Sequence, residues 1–365
     1  MALLVLAWWL LYARFYEGTD DAYVAGDLVN VMSQVSGTVV SIGADETDRV
    51  EAGQELVRLD ATDARIALQD TEQQLARTVR QTRTVFATRD ELRAVLDQRR
   101  ADLARAQADF NRRRSLATSG AVSGEELGHA QDALNAARDA LVAADKNLAA
   151  SRALVGRTGV ADHPDVRAAA TQVERAWLGL VRTSVKAPVS GYVARRTVQL
   201  GERISPGAPL MAIVPLGRLW LEANFREVQL RRMRIGQPAQ VVADLYGGRV
   251  TYHARVAGLG LGTGSAFALL PAQNATGNWI KVVQRVPVRI TLDPGELAAH
   301  PLRIGLSTVV TVDIHDTSGA QLAQTAREEP VLLTRTYDID RSEIHARIAQ
   351  IIEENIPEAA EQPAP

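Results

Sequence analysis

The sequence predicts a mixed α and β, elongated, multidomain protein: a long α-helical coiled-coil hairpin inserted in a split β-sandwich, followed by a small antiparallel β-barrel. Three observations predict it. First, all 14 prolines lie at or beyond Pro164, and between Gln54 and Val155 the only glycines are Gly120, Gly124 and Gly128. Two long stretches without helix breakers around one glycine-marked turn read as two helices and a reversal. Second, Val35-Ser36-Gly37-Thr38-Val39 returns as Val189-Ser190-Gly191-Tyr192-Val193, and the block from Val50 to Val57 returns from Ile204 to Met211, at the same offset of 154 residues. Third, Leu127, Leu134, Leu141 and Leu148 recur every seven residues, with Ala130, Ala137 and Ala144 three residues behind the first three. That is a Leu/Ala coiled-coil seam, in which small alanines let helices approach closely.

The N-terminal edge comes first along the chain. Ala2 to Tyr12 is unbroken apolar sequence, with Leu3, Leu4, Leu6, Trp8, Trp9, Leu10 and Leu11 as its anchoring side chains. Eleven residues are too few to span a bilayer core, which needs about 20 in a helix. A signal-peptide core and a buried helix are the alternatives, but no basic residue precedes the run and no small-x-small cleavage site follows it. Trp8, Trp9, Tyr12, Phe15 and Tyr16 make an interfacial aromatic belt, so the run reads as the outer end of a transmembrane anchor whose start need not lie within this chain.

The repeated blocks are strand-and-hairpin chemistry, since β-branched residues alternate in short runs between glycines. One copy cannot bury a sheet face alone, whereas two copies stacked together can. Between them, a first helix begun by Asp60 or Thr62 and ended near Gly120 runs about 55 residues, roughly 80 Å at 1.5 Å per residue. Leu68, Leu75, Leu96, Leu103 and Phe110 share one heptad register in it, interrupted by Thr82 and Arg89. Ser123 with Glu126 forms a capping box for the return helix. The return path breaks at Gly156 to Gly159 and at His163-Pro164, and a last helix from about Asp165 to Arg182 completes it. Beyond Leu219, the alternating runs Leu219–Asn224, Ala239–Asp244 and Val286–Leu292 are barrel strands separated by glycine-rich turns. Ser342 to Ile352 is an amphipathic helix, and Pro357 to Pro365 a disordered end.

Composition narrows the chemistry. With 41 basic and 43 acidic side chains the net charge is −2, which excludes a basic nucleic-acid groove. The absence of cysteine excludes thiolate metal sites, iron–sulfur clusters and a cysteine nucleophile. Six scattered histidines show no metal-ligand spacing, and Gly258 to Gly264 fails the dinucleotide-binding spacing, so it reads as a barrel turn. No catalytic, cofactor or metal constellation is expected.

The split sandwich resembles the biotinyl/lipoyl-like domain. Carrier domains of that type present a lysine at a hairpin tip, but the equivalent stretches, Gly43–Asp48 and Arg195–Gln199, contain none, so the sandwich is structural. The chain as a whole resembles the periplasmic adaptor, or membrane fusion, proteins of bacterial tripartite efflux pumps, within their EmrA-like branch. Thr19–Val24, Gln34–Gly37, Lys186–Gly191 and above all Gly262–Val282 carry the resemblance.

The resemblance implies domains at 1–16 (partial transmembrane anchor), 17–33 (linker and N-terminal barrel strand, the segment Ala22–Met32 adding that strand), 34–60 and 184–216 (lipoyl-like halves), 61–183 (hairpin), 217–316 (barrel) and 317–365 (tail with a short helix). It also implies a non-enzymatic subunit held by a single-span anchor in the inner membrane, with its bulk in the periplasm. The partners it implies are a major-facilitator-type transporter in the inner membrane and a TolC-like channel in the outer membrane. Arg112, Leu116 and Ser123 fit R-x3-L-x6-S, which resembles the tip motif that docks adaptors on the channel, although Arg112–Arg114 can also be a solvated charge run and Ser123 a cap. One rod cannot enclose a conduit, so a ring-forming homo-oligomer, trimer or hexamer, is expected. The rival readings are the adaptor of an ABC-driven type I protein or peptide secretion system and an envelope coiled-coil scaffold without transport.

Overall fold

A computed structural model describes residues 13–118, 120–264, 266 and 283–356. The apolar run with Leu3, Leu4, Leu6, Trp8, Trp9, Leu10 and Leu11, nearly all of the Gly262–Val282 stretch, and Pro357–Pro365 lie outside the described residues. The chain divides into two units, Met1–Leu59 with Ser184–Asp338, and Asp60–Thr183 with Ile339–Pro365.

The chain opens with β1 (Tyr16–Ala25), β2 (Val29–Met32), β3 (Gly37–Ile42), β4 (Arg49–Val50) and β5 (Glu55–Leu59). Three helices follow, α1 (Thr62–Ala117), α2 (Gly124–Val155) and α3 (Pro164–Val181). After them come β6 (Ser184–Lys186), β7 (Gly191–Arg196), β8 (Arg203–Ile204) and β9 (Pro209–Val214). Then β10 (Trp220–Arg226), β11 (Pro238–Ala243), β12 (Thr251–Leu259) and β13 (Arg285–Leu292) lead to α4 (Pro294–Ala299), β14 (Ser307–Asp313) and α5 (Ser342–Asn355).

In the first unit the repeated blocks form a sandwich of two four-stranded sheets, β2-β9-β7-β4 and β6-β5-β3-β8. Each sheet takes strands from both copies, so neither copy owns a sheet. The repeat shows in the core: Val39 and Val193, Val50 and Ile204, and Leu56 and Leu210 are pairs at the repeat offset, and all six are buried. Gly53 and Gly207, another such pair, both turn with positive φ, 87° and 84°, which a side chain would strain.

The second module of this unit is a closed barrel in the order β1-β10-β13-β12-β11-β14, antiparallel throughout. Alternation along the strands puts Leu221, Phe225, Tyr252, Ile290 and Val310 into its core. One expectation is corrected here. Ala22–Met32 is not one barrel strand: the barrel strand is Tyr16–Ala25, while Val29–Met32 pairs with Pro209–Val214 in the sandwich. The break falls at Gly26, where a Cβ would sit 2.6 Å from Leu219 Cδ2 and 3.1 Å from Ile304 Cδ1, so a larger residue would have to push those side chains aside. Gly258 and Leu259 likewise belong to β12 rather than to a turn. After β14 the chain runs without regular structure along the barrel, where Ile235 N–H donates to Ala320 O, and then along the sandwich, where the Thr334 hydroxyl donates to Pro188 O.

In the second unit, α1 is 56 residues long. Its N-cap is Ala61, neither Asp60 nor Thr62; the Asp60 carboxylate, one residue earlier, accepts from the Thr62 N–H at 3.0 Å and the Thr62 hydroxyl at 2.7 Å. Toward the turn α1 packs on α2, and toward its start on α3. His163 caps α3, with Pro164 at the first helical position as its fixed φ favours. The tail is not a separate region. Its helix α5 packs on α1 and α3, where Leu75, Val79, Val166, Val173, Trp177, Ile344 and Ile351 form one buried cluster. The ion pairs Arg347–Glu72 (3.1 Å) and Arg341–Glu174 (2.9 Å) flank it.

Candidate functional site

The hairpin turn gathers the predicted docking residues. At 1.5 Å per residue the 56-residue α1 is about 84 Å long, and Arg112 and Leu116 lie in its last two turns. Past Ala117 the chain reverses on two backbone bonds, Gly120 N–H to Ala117 O and Ala121 N–H to Leu116 O, both 3.2 Å. Gly120 takes φ 75°, the left-handed conformation that a glycine reaches without strain.

Ser123 is the N-cap of α2. Its hydroxyl accepts from the Glu126 N–H at 3.2 Å, and Glu126 Oε2 accepts from the Ser123 N–H at 2.9 Å, closing the capping box. Those bonds from Ser123, with the charge of Arg113 adding a smaller part, hold the Glu126 carboxyl below the ordinary glutamate range. One turn before the tip, Asp109 accepts from Arg112 Nη2 at 3.1 Å and from Arg113 Nε at 2.8 Å. The Arg112 hydrogen bond is the largest cause of the lowered Asp109 pKa.

The tip therefore holds a fixed charge pattern around an apolar centre. Leu116 is 48% exposed, which sets it apart from the seam leucines. Arg112 keeps 74% of its side chain in solvent despite its contact with Asp109. Arg112, Leu116 and Ser123 lie within one turn region, open to a partner. The hold of Asp109 on Arg112 and Arg113 escaped the sequence reading, because nothing in a run of three arginines says which of them a neighbouring carboxylate will orient.

Below the tip, Leu134 and Leu148 are buried at 1% exposure each, while Leu127 and Leu141 are half-buried. On α1, Leu75 and Leu96 are buried, and so is Thr82, one of the two residues that break the heptad. Arg89, the other, folds its guanidinium over the Phe86 ring at 5.0 Å.

At the sandwich tips the two loops that lack the carrier lysine are tied to each other. Arg196 Nε donates to Asp45 Oδ1 at 2.8 Å, and the Arg196 backbone N–H donates to Glu46 Oε1 at 3.1 Å. Among the described residues there is no group of three or more His, Asp or Glu side chains placed to hold a metal ion.

A lipoyl-like sandwich split by a helical hairpin and followed by a closed barrel is the architecture of a membrane fusion, or adaptor, protein. Comparison with known proteins gives the branch. A family model described as EMRA, alpha-helical hairpin domain, matches residues 62–183. The chain is 47% identical over 348 residues to the multidrug export protein EmrA of Escherichia coli strain K12, covering 95% of this chain and 89% of that one. It is 48% identical over 340 residues to the fatty acid resistance protein FarA of Neisseria gonorrhoeae, covering 93% and 85%. Among solved structures, one titled as the periplasmic adaptor protein EmrA aligns with 82% of this chain and 99% of its own, at 18% identity and a TM-score of 0.42. The chain belongs to the EmrA family of periplasmic adaptor proteins. Adaptors of this family are not enzymes.

Proposed function

We propose that the chain is the adaptor of a tripartite multidrug efflux system, joining a major-facilitator-type exporter in the inner membrane to a TolC-like channel in the outer membrane. The observation that carries this reading is the tip: a leucine exposed at the end of a long hairpin, beside a solvated arginine fork and a helix cap. An exposed apolar side chain beside an arginine is the composition of an interface anchor, and it lies at the end of the hairpin. The relative named for multidrug export supports drugs as the cargo.

In this reading Arg112, Leu116 and Ser123 dock on the channel, and the apolar run that includes Leu3, Leu4, Leu6, Trp8, Trp9, Leu10 and Leu11 anchors the chain in the inner membrane. The seam of Leu127, Leu134, Leu141 and Leu148 keeps the hairpin closed. Several copies pack side by side into a cyclic ring, since one hairpin encloses nothing.

Ser123→Asp separates cap from contact, because Asp caps a helix as well as Ser does and its charge suits an N-terminus. The variant keeps its fold and loses drug resistance in a deletion strain, as do Arg112→Ala and Leu116→Ala, with crosslinking to the channel lost in parallel. Normal resistance of all three variants at normal abundance would remove the channel contact from the tip.

A further inference from the structure

The rim of the barrel where β1 begins carries a cluster that channel docking does not use. Phe15, immediately before β1, stacks on His315 with ring centroids 4.1 Å apart and planes 15° from parallel. Two guanidinium groups sit on the same ring, Arg14 at 4.6 Å and Arg232 at 5.0 Å from its centroid. Arg231 and Arg234 flank Arg232, and Arg234 Nη1 turns back to the carbonyls of Arg231 (3.0 Å) and Met233 (2.7 Å).

Nearby acids are committed elsewhere. Asp313 pairs with His315, Glu17 accepts from Gln229 at 2.9 Å, and Asp316 accepts from the Ser318 N–H at 2.8 Å. Among the described residues Arg14, Arg231, Arg232 and Arg234 form no ion pair. The rim is thus a cationic collar in which the Arg14 and Arg232 guanidinium groups rest on the Phe15 ring and pair with no carboxylate among the described residues.

Its position in the chain suggests what fills it. Arg14 stands two residues after Tyr12, the end of the apolar run, so a run that enters a bilayer leaves the collar at headgroup level. Arginines are disfavoured on the translocated side of a membrane span, so four of them gathered there call for a counter-charge. A guanidinium fork matches a phosphate oxygen pair, and an aromatic ring with arginines suits the interface between headgroups and acyl chains.

We propose that Arg14 and Arg232, held on the Phe15 ring, together with Arg231 next to Arg232 in the chain, bind the phosphates of an anionic phospholipid surface and seat the barrel rim on the membrane. This deepens the adaptor reading and rests on its membrane anchor. The test keeps the two apart. The full chain is mixed with vesicles of phosphatidylcholine alone, or of phosphatidylcholine with phosphatidylglycerol, and its co-flotation is measured over a salt series. Binding to neutral vesicles reports the apolar run, and the gain on adding anionic lipid reports the collar.

The gain falls with salt, and it drops about fivefold for each of Arg14→Gln and Arg232→Gln. Arg14→Lys with Arg232→Lys keeps most of it, and melting curves show all variants folded. A native chain that floats equally with both vesicles overturns the proposal while leaving the anchor standing; a chain that floats only with anionic vesicles supports the collar and removes the anchor. Glutamine variants that keep the full gain yet lose drug resistance assign the collar to an acidic protein surface, which also overturns it.

Discussion

The two ends of the helical unit use one long helix in different ways. At the base α1 meets two partners, α3 and α5, and the three bury a cluster with Trp177 and two isoleucines of α5 at its heart. Toward the tip α1 meets α2 alone, and the cluster there consists of Leu96, Ala144 and Leu148, with Leu92, Val95 and Leu141 packed against it. Beyond Leu96 no residue of α1 is buried, although Ala130 and Leu134 of α2 are. Two helices present one shared stripe, whereas three enclose a core, so apolar area per residue falls from base to tip. The difference teaches that the base carries the stability, and that the tip is held by its seam, its cap and whatever it docks on.

Substitutions can break that comparison at either end. The largest effect is expected at the base, where Ile351→Asp buries a charge without a partner and costs several kcal/mol, with α5 losing hydrogen-exchange protection and α1 losing it near Leu75. Trp177→Ala belongs beside it, at about 3–5 kcal/mol. If both variants melt like the native chain, α5 is an ornament rather than part of the core.

In the two-helix region Leu148→Ala and Leu134→Ala each cost about 2–4 kcal/mol, with Leu127→Ala, half-buried, costing less. Denaturant unfolding followed by circular dichroism gives the ranking, and equal costs at Leu127 and Leu134 would mean the seam is evenly packed. Ser123→Ala removes one cap hydroxyl and costs about 1 kcal/mol, seen as faster exchange at the start of α2 alone. Arg347→Ala, which breaks a two-bond pair with the half-buried Glu72, changes stability by about 1 kcal/mol, and by less at high salt.

Acid sharpens the contrast. The Glu126 carboxyl titrates below its ordinary value in the folded chain, so its capping contribution is complete above the unfolded glutamate pKa and is lost as pH falls through the lowered folded value. The protection of the first-turn amides of α2, measured against their intrinsic exchange rate at each pH, therefore falls on acidification in the native chain. Glu126→Gln, a neutral partner for the same cap, flattens that response.

Much of this was legible in the sequence, because local rules wrote it. Heptad spacing marked α2, the serine–glutamate pair marked its start, and the missing prolines marked the length of α1. The repeat offset marked the sandwich, since equivalent positions such as Val39 and Val193 face the same core. What escaped is of another kind. The apolar face of α5 was visible, but an amphipathic face does not say which surface it covers, and Ile344 and Ile351 find theirs on α1 and α3, far away in sequence. Thr82 broke the leucine pattern and read as a fault in the seam, yet its small side chain is buried in place. The short β2 lacked the length to declare a partner, and Gly26 gave no hint that it is the point of departure from the barrel. At the tip, the motif spacing was plain, whereas the clamp of Asp109 on two arginines depends on rotamers that spacing does not fix.

The interleaving of the sandwich also sets an order of events during synthesis. Because each sheet mixes strands from both copies, the first copy can form only its own β3–β5 pair until the strands after the hairpin have been made. The chain between β5 and β6 must therefore emerge while β2 and β4, whose partners are β9 and β7, wait unpaired. Helices form from near neighbours and fast, so α1, α2 and α3 can close on one another first and shorten the loop that the strands would otherwise have to find across. The hairpin then serves its own protein before it serves any partner: it is the splint that brings the two halves of the sandwich within reach.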